Sequence, residues 1–397
     1  MRRHPAAVIP YAAVVLLTLA SPIRAQGPEP VRLNASLLAD LMANVEGGVR
    51  RAGSAMVLGG LTVDVDGQAL LSVPGLAGHV TIVGAWGRGP SVHVGDIQGP
   101  SNIAAPEGVF PFEVWLQQNL PGRISVLAGL YDLNSEFDVL EVAGLFLNSS
   151  FGIGPDFALS GPNGPSVFPT TGLGVRAAVA ISPSLRLRLA LIDGTPGDPA
   201  DPDDFDPWIR PGDGALLVTE VALGGGTPDA RAAHPRVGRR AATHPRRVAL
   251  GVWRYAGLSD AGSACCGVYA LAETRLSVDP GDPDRVLGLF ARAGSALRGQ
   301  SAVSAYVGFG VTARGLARST DELGLGVALA WPDPMHLETK GFPTSREAPE
   351  QVVELSYRVG LADGLSVQPD LQYVAHPAGT PGSTHAVLLS LRVGISP

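Results

Sequence analysis

The stretch VVELSYRVGLADGLSVQPDLQYV, residues 352–374, decides the fold. Successive side chains of an extended strand point to opposite faces. Val353, Leu355, Tyr357, Val359 and Leu361 therefore share one face, and Glu354, Ser356 and Arg358 the other. "LADG" then supplies a tight turn, and the return segment carries the polar face on through Asp370 and Gln372. The same alternation recurs in "SLRLRLAL", where Leu185, Leu187, Leu189 and Leu191 oppose Arg186 and Arg188. It recurs again in "AVLLSLRVGI", where Val387, Leu389, Leu391, Val393 and Ile395 oppose Ser390 and Arg392.

Alternation by itself suits a soluble sandwich as well as a membrane barrel, since both have one apolar face. Three features favour the barrel. Charges and amides sit deep within strands, as a wet lumen requires. Segments of about ten residues, the length that crosses a bilayer at a tilt, repeat along nearly the whole chain. Tight and long connections alternate. Composition agrees, with 45% apolar and only 16% charged residues in a chain of 397, against about 25% charged in an ordinary soluble domain. The longest apolar run, Ala12 to Ala20, falls short of the ~20 residues of a spanning helix. With Arg2 and Arg3 before it and Ala25 closing "SPIRAQ", it reads as a signal peptide over residues 1–25.

The alternation predicts strands near 56–66, 78–86, 91–98, 113–119, 123–131, 171–182, 184–193, 213–225, 246–256, 265–278, 285–293, 302–314, 322–331, 350–361, 364–374 and 384–396. Residues 26–55 are expected to form a periplasmic lead segment with a short helix at "NASLLADLM", and 56–397 the barrel. The fold class is then all-β, a 16-stranded antiparallel transmembrane β-barrel. A barrel of that size leaves an aqueous channel. With both termini periplasmic, the long connections 99–112, 132–170, 194–212 and 332–349 lie outside and most of the others are tight. The basic segment "GGTPDARAAHPRVGRRAATHPRR", residues 225–247, breaks that rule and implies either a missed strand pair or an insertion.

Motifs of catalysis are absent: there is no GxSxG, HExxH, CxxC or Walker sequence. "FGIGPDF" and "LGLGVAL" begin like GxGxxG and lack its third glycine, so they read as glycines within strands. Cys265 and Cys266 are adjacent and read as passengers in a strand. The histidines have no metal-ligand spacing. The acidic loop with Asp198, Asp201, Asp203, Asp204 and Asp206 lacks the EF-hand pattern and reads as a solvated loop.

"GDIQGPSNIAAPEG", "AGLYDLNSEFD", "GLFLNSSFGIGPDFALSGPNGPSVFP" and "ELSYRVGLADGLSVQPDLQYV" followed by "HP" resemble the OprB-type carbohydrate-selective porins of Gram-negative outer membranes. The resemblance runs from about Asn44 to Val393. It implies a 16-stranded porin, with an inward-folded constriction loop, that passes sugars, chiefly monosaccharides such as glucose, down their gradient. The chain departs from the family's pattern in ending "VGISP" rather than on an aromatic residue, and in its basic insert. An outer-membrane barrel enzyme or a non-conducting structural or adhesin barrel are the alternative readings.

A sugar needs closely placed donors and acceptors and a flat apolar surface for its C–H face. On "EVWLQQN" the lumen face holds Glu113 and Trp115, the latter as a stacking ring. Arg123 and Arg176 are expected to line the constriction. Asp132, Asn134, Glu136, Asp138, Asn148, Asp156 and Asn163 of the 132–170 insert are candidate channel contacts, some of them as turn caps. No metal, cofactor or nucleic-acid partner is expected. The expected partners are small carbohydrates, outer-membrane lipid and lipopolysaccharide, and the barrel-assembly machinery, with the protein a monomer or homotrimer.

Overall fold

The computed structural model describes residues 30–198, 201, 205–224, 246–258, 266–279, 282–297, 301–335, 348–378 and 385–396. Sixteen antiparallel strands follow one another round a single closed barrel. The first eight are β1 (Val31–Gly47), β2 (Ala52–Asp66), β3 (Leu76–Gly87), β4 (Gly108–Leu120), β5 (Ile124–Tyr131), β6 (Gly172–Ala180), β7 (Leu185–Asp193) and β8 (Ala215–Gly224). The rest are β9 (Arg246–Ala256), β10 (Cys266–Asp279), β11 (Asp282–Ala296), β12 (Val303–Arg314), β13 (Glu322–Pro332), β14 (Glu350–Ala362), β15 (Leu365–Ala375) and β16 (His385–Ile395). Closure leaves no open edge, which is the condition for placing a sheet in hydrocarbon.

The count of sixteen agrees with the sequence, but two members differ. Residues 31–47, expected in a lead segment with a helix at "NASLLADLM", form β1 instead, which pairs with β2 on one side and closes the barrel against β16 on the other. The inward residues Leu38 and Met42 are apolar because they pack into an interior cluster with Val94 and Ile103. That erases the period of two and imitates a helical face. Conversely, 91–98 is not a strand. Pro90 and Gly95 bracket a single helical turn, α1 (Ser91–Val94), with Gly95 left-handed at φ 76°. One missed and one surplus strand cancel before β4, so every later connection falls at the end of the barrel that the alternation predicts. Residues 1–29, which contain the expected signal peptide, lie outside the described residues, as do Cys265, Asp203, Asp204 and most of the basic insert. Arg246 and Arg247 belong to β9, and β8 pairs directly with β9, so no strand pair lies between them in the barrel.

The outward rows are exposed and apolar, with Leu41, Leu116, Val175, Leu250, Val268, Leu325 and Leu389 among them. Trp86, Trp331 and Tyr373 stand on these rows within two residues of the ends of β3, β13 and β15 that lead into long connections, or, for β15, into residues 376–384. Such a ring of aromatics marks a membrane interface. The inward rows carry the charges: Asp40, Glu113, Arg176, Arg188, Glu220, Arg247, Arg292, Glu354 and Arg392 are all buried. They are buried because two connections turn inward, 88–107 and 132–171.

Candidate functional site: the inward loop and its arginine–carboxylate seat

The chain from Asp132 to Thr171 folds inside the barrel as three 3-10 turns, Leu133–Ser135, Val142–Leu145 and Ser149–Phe151, and a short helix, α2 (Pro155–Ala158). It is fastened to the wall strand by strand. On β6, Arg176, only 1% exposed, donates from Nε to Glu136 Oε2 (2.5 Å), from Nη2 to Gln117 Oε1 (2.8 Å) and from Nη1 to Ser125 Oγ (2.7 Å). On β7, Arg188 donates to the Glu136 carbonyl (3.1 Å) and to Glu220 Oε1 on β8 (2.9 Å). On β9, Arg247 donates to the Val139 carbonyl (2.6 Å) and faces Glu220 and Glu273. Glu273 on β10 accepts from Val142 N (2.9 Å). Arg292 on β11 grips Asp138 through Nε and Nη2 (3.0 and 2.7 Å) and Asp156 through Nη1. Tyr306 on β12 donates to the Ser150 carbonyl (2.8 Å).

The far side of the wall completes the seat. Glu354 on β14 accepts from Leu147 N (2.5 Å) and Asn148 N (3.0 Å), and Gln368 on β15 donates to the Leu145 carbonyl (2.6 Å). On β13 the loop lies so close that a Cβ on Gly324 or Gly326 would stand 2.7 Å from Leu145 or Phe151. Those are the glycines of "LGLGVAL", and they make room for the loop's aromatic cluster. The 88–107 connection locks onto the first. Asn102 N donates to the Leu147 carbonyl (2.7 Å), Ser149 N donates to the Gly99 carbonyl (2.8 Å), and Asp40, held by Arg392, accepts from Ser101 Oγ (2.7 Å). Glu350 accepts from Ile97 N and Gln98 N.

The residues nominated from sequence divide clearly. Glu136, Asp138, Asn148, Asp156 and Arg176 meet in this seat, with their hydrogen-bonding groups turned to the wall. Asp132 and Asn148 also cap the 3-10 turns that follow them. Asn134 donates to the carbonyls of Phe137, Asp138 and Gly152 and is half-exposed. Asn163 donates to the Pro196 carbonyl (2.7 Å), tying the loop to the β7–β8 connection.

Two assignments need correction. Arg123 is not at the constriction: it is exposed in the tight β4–β5 turn, at φ 62°, at the end of the barrel away from the loop. Trp115 does face inward, but it is 3% exposed, stacked on His79 at 4.7 Å and donating Nε1–H to Glu113 (3.2 Å). Its ring face is occupied by protein. In the acidic outer loop, Asp198 and Asp206 pair with Arg210.

Sequence reading missed Glu220, Arg247 and Arg292 as partners of the loop. The available signal was a single charge on the inward face of an otherwise apolar strand, as in "ALLVTEVAL" and "LGLFARAGSAL".

Burial governs the loop's carboxyls. It pushes Asp138 up to about 6 against the pull of Arg292, and Asp156 upward in the same sense. Burial pushes Asp132 to about 7. The folded chain thus holds a proton on Asp132 that the unfolded chain has released above pH ~4. The folded state binds more protons across that window, so this contribution to stability is full below pH ~4 and is lost as pH rises through about 7. Asp132→Asn, which keeps the cap on Asn134 N, should flatten the fall in melting temperature between pH 4 and 8. An unchanged slope would place the titration elsewhere.

Close packing gives a second expected result. A Cβ on Gly154, the second glycine of "FGIGPDF", would stand 2.0 Å from Arg292 Cζ. Gly154→Ala should therefore displace the guanidinium and cost about 1–3 kcal/mol by overpacking, read as a lower unfolding midpoint in denaturant.

A closed sixteen-stranded barrel with apolar outer rows and a loop folded across its interior defines an outer-membrane diffusion porin. The chain belongs to the OprB family of carbohydrate-selective porins, whose profile matches residues 57–396. It is a sugar-selective porin of a Gram-negative outer membrane. Its fold is similar to the high-pH structure of Pseudomonas putida OprB, at TM-score 0.76 and 17% identity over 92% of this chain and 94% of that one. The low-pH structure of the same protein aligns at TM-score 0.56 and 14% identity over 97% and 95%. A multiply substituted mutant of the Rh. blastica porin aligns at TM-score 0.54 and 12% identity over 92% and 99%. No curated protein sequence matches the chain.

Proposed function

We propose that this porin passes monosaccharides such as glucose by passive diffusion, without catalytic activity, and that the 132–171 loop sets the width of the passage. The observation that carries this reading is the loop's attachment from β6 round to β15, which holds a folded segment across the lumen. A binding site in a channel must be strong enough to admit the solute and weak enough to release it. Side chains already committed to protein partners serve that purpose by shaping the passage. Trp115, Glu113, Asp132, Glu136, Asp138, Asn148, Asp156, Asn163 and Arg176 act in this way, as positioning residues.

Solute contacts fall to half-exposed inward groups with spare capacity. Asn134 Oδ1 accepts no hydrogen bond among the described residues. The Arg358–Glu322 pair (2.6 Å) is partly exposed on the inward face. Export through a signal peptide at residues 1–25 and insertion by the barrel-assembly machinery follow from the outer-membrane location. Liposome swelling with glucose, a disaccharide and an amino acid tests the reading. Fast swelling with glucose and slow swelling with the other two is expected, and equal rates for all three would refute selectivity for small sugars.

A further inference from the structure

We propose that the outer wall of the barrel between β8 and β11 binds one molecule of lipid A, with an acyl chain in a surface groove and a phosphate on Arg254. The groove has a volume of about 410 Å³ and is lined by Leu217, Val252, Arg254, Cys266, Val268 and Ser295. The short side chains of Cys266 and Ser295 stand on outward rows within it, beside Leu217, Val252 and Val268. Leu217, Arg254 and Cys266 lie side by side across three strands, and Val268 faces Ser295 across the next pair. The rims are exposed apolar side chains of the kind that meet acyl chains.

Charges are scarce on the outward rows, and Arg254 stands at the end of this groove. Among the described strands, Arg246 and Arg285 stand on outward rows at the opposite, periplasmic end, and Glu46 beside His385 near the end of β1. Within the described strands, Arg254 is the outward-facing charge of the extracellular half with no hydrogen bond or ion pair among the described residues. A guanidinium on the lipid face is tolerated at the interface and costly toward the midplane. It is a planar fork that matches phosphate bidentately.

Height selects the lipid. Arg254 lies two residues before the end of β9, as Trp86, Trp331 and Tyr373 lie one or two residues before the ends of β3, β13 and β15, while Cys266 opens β10 and Ser295 is next to the last residue of β11. This is the headgroup zone of the leaflet facing the long connections. In a Gram-negative outer membrane that leaflet is built from phosphorylated, multiply acylated glucosamine. The proposal rests on the outer-membrane reading for which leaflet this is, and on nothing in the channel.

Native mass spectrometry of the full-length protein in detergent tests it, with diphosphoryl lipid A, its dephosphorylated form and phosphatidylglycerol as probes. One diphosphoryl lipid A per chain should be retained. Arg254→Ser should weaken that retention at least about tenfold, as loss of a charge-assisted pair requires. Ser295→Leu, which fills the groove and leaves the charge, should weaken it too. Neither substitution should change glucose-driven swelling, so a failure of the channel reading appears in the wild-type swelling assay and not here. Equal retention of the dephosphorylated form, equal retention of phosphatidylglycerol, indifference to both substitutions, or a dimer that Ser295→Leu dissociates would each overturn the proposal.

Discussion

Replacing Arg292 by alanine is expected to free the inward loop and raise single-channel conductance severalfold, with loss of discrimination between glucose and a disaccharide. Arg292 holds Asp138 by a two-pronged contact and Asp156 by the remaining nitrogen, and its guanidinium lies over the rings of Tyr269 (5.6 Å) and Tyr306 (5.3 Å). These are the contacts by which the middle of the loop reaches the wall opposite its origin. Without the arginine, two buried carboxyls lose their counter-charge, and breaking such a pair from one side costs about 3–5 kcal/mol. The carboxyls then recover solvation by moving toward water, which carries the loop off the wall. Arg292→Lys retains the charge and not the fork, and should fall between wild type and alanine. Planar-bilayer recordings decide the matter. Wild-type conductance in Arg292→Ala would show that the loop's seat does not depend on this residue.

Glu220 is the second point of leverage, and here the larger effect falls on stability. One carboxylate accepts from Arg188 Nη1 (2.9 Å), Arg247 Nη2 (3.4 Å), Tyr269 Oη (2.8 Å) and the backbone N of Asp138 (3.1 Å). It joins three strands to the loop at one buried point. Glu220→Ala leaves two buried guanidinium groups short of a partner and should cost about 3–5 kcal/mol. Glu220→Gln keeps the shape but turns an NH₂ toward donors, and should cost about 1–3 kcal/mol. The urea midpoint of the detergent-solubilised barrel measures both, and the reverse order would argue that shape and not charge holds the junction.

Much of the barrel was legible because its physics is local. A strand in a bilayer must send alternate side chains to lipid and to water, so period two survives wherever both solvents are real, as at Leu185–Leu191 and Val353–Leu361. It failed where the interior is not water. At Leu38 and Met42 the inner face of β1 meets protein, the apolar residues no longer alternate, and a strand passed for a helix. The contrary error at 91–98 came from Val92 and Val94 standing two apart in a helical turn, where only Pro90 and Gly95 marked the ends. The loop was recognisable as a loop from its glycines, prolines and capping residues. Its partners were not, since Glu220, Arg247 and Arg292 lie 82 to 154 residues downstream of the loop residues they hold and reach them only once the barrel has closed.

By itself the sequence determined an all-β membrane barrel of sixteen strands, the lipid face of the strands that alternate, and the family to which the chain belongs. These follow from a binary choice of solvent made residue by residue. Only the tertiary structure decided that Arg176 and the carboxylates Glu136, Asp138 and Asp156 hold the loop in place, that Trp115 is covered by His79, that Arg123 stands in a distant turn, and that Arg254 sits alone on the lipid face. Each of those depends on which groups meet across the lumen or across neighbouring strands. In a low-dielectric interior that meeting determines whether a charged side chain is free to contact a solute or is already consumed in neutralising another.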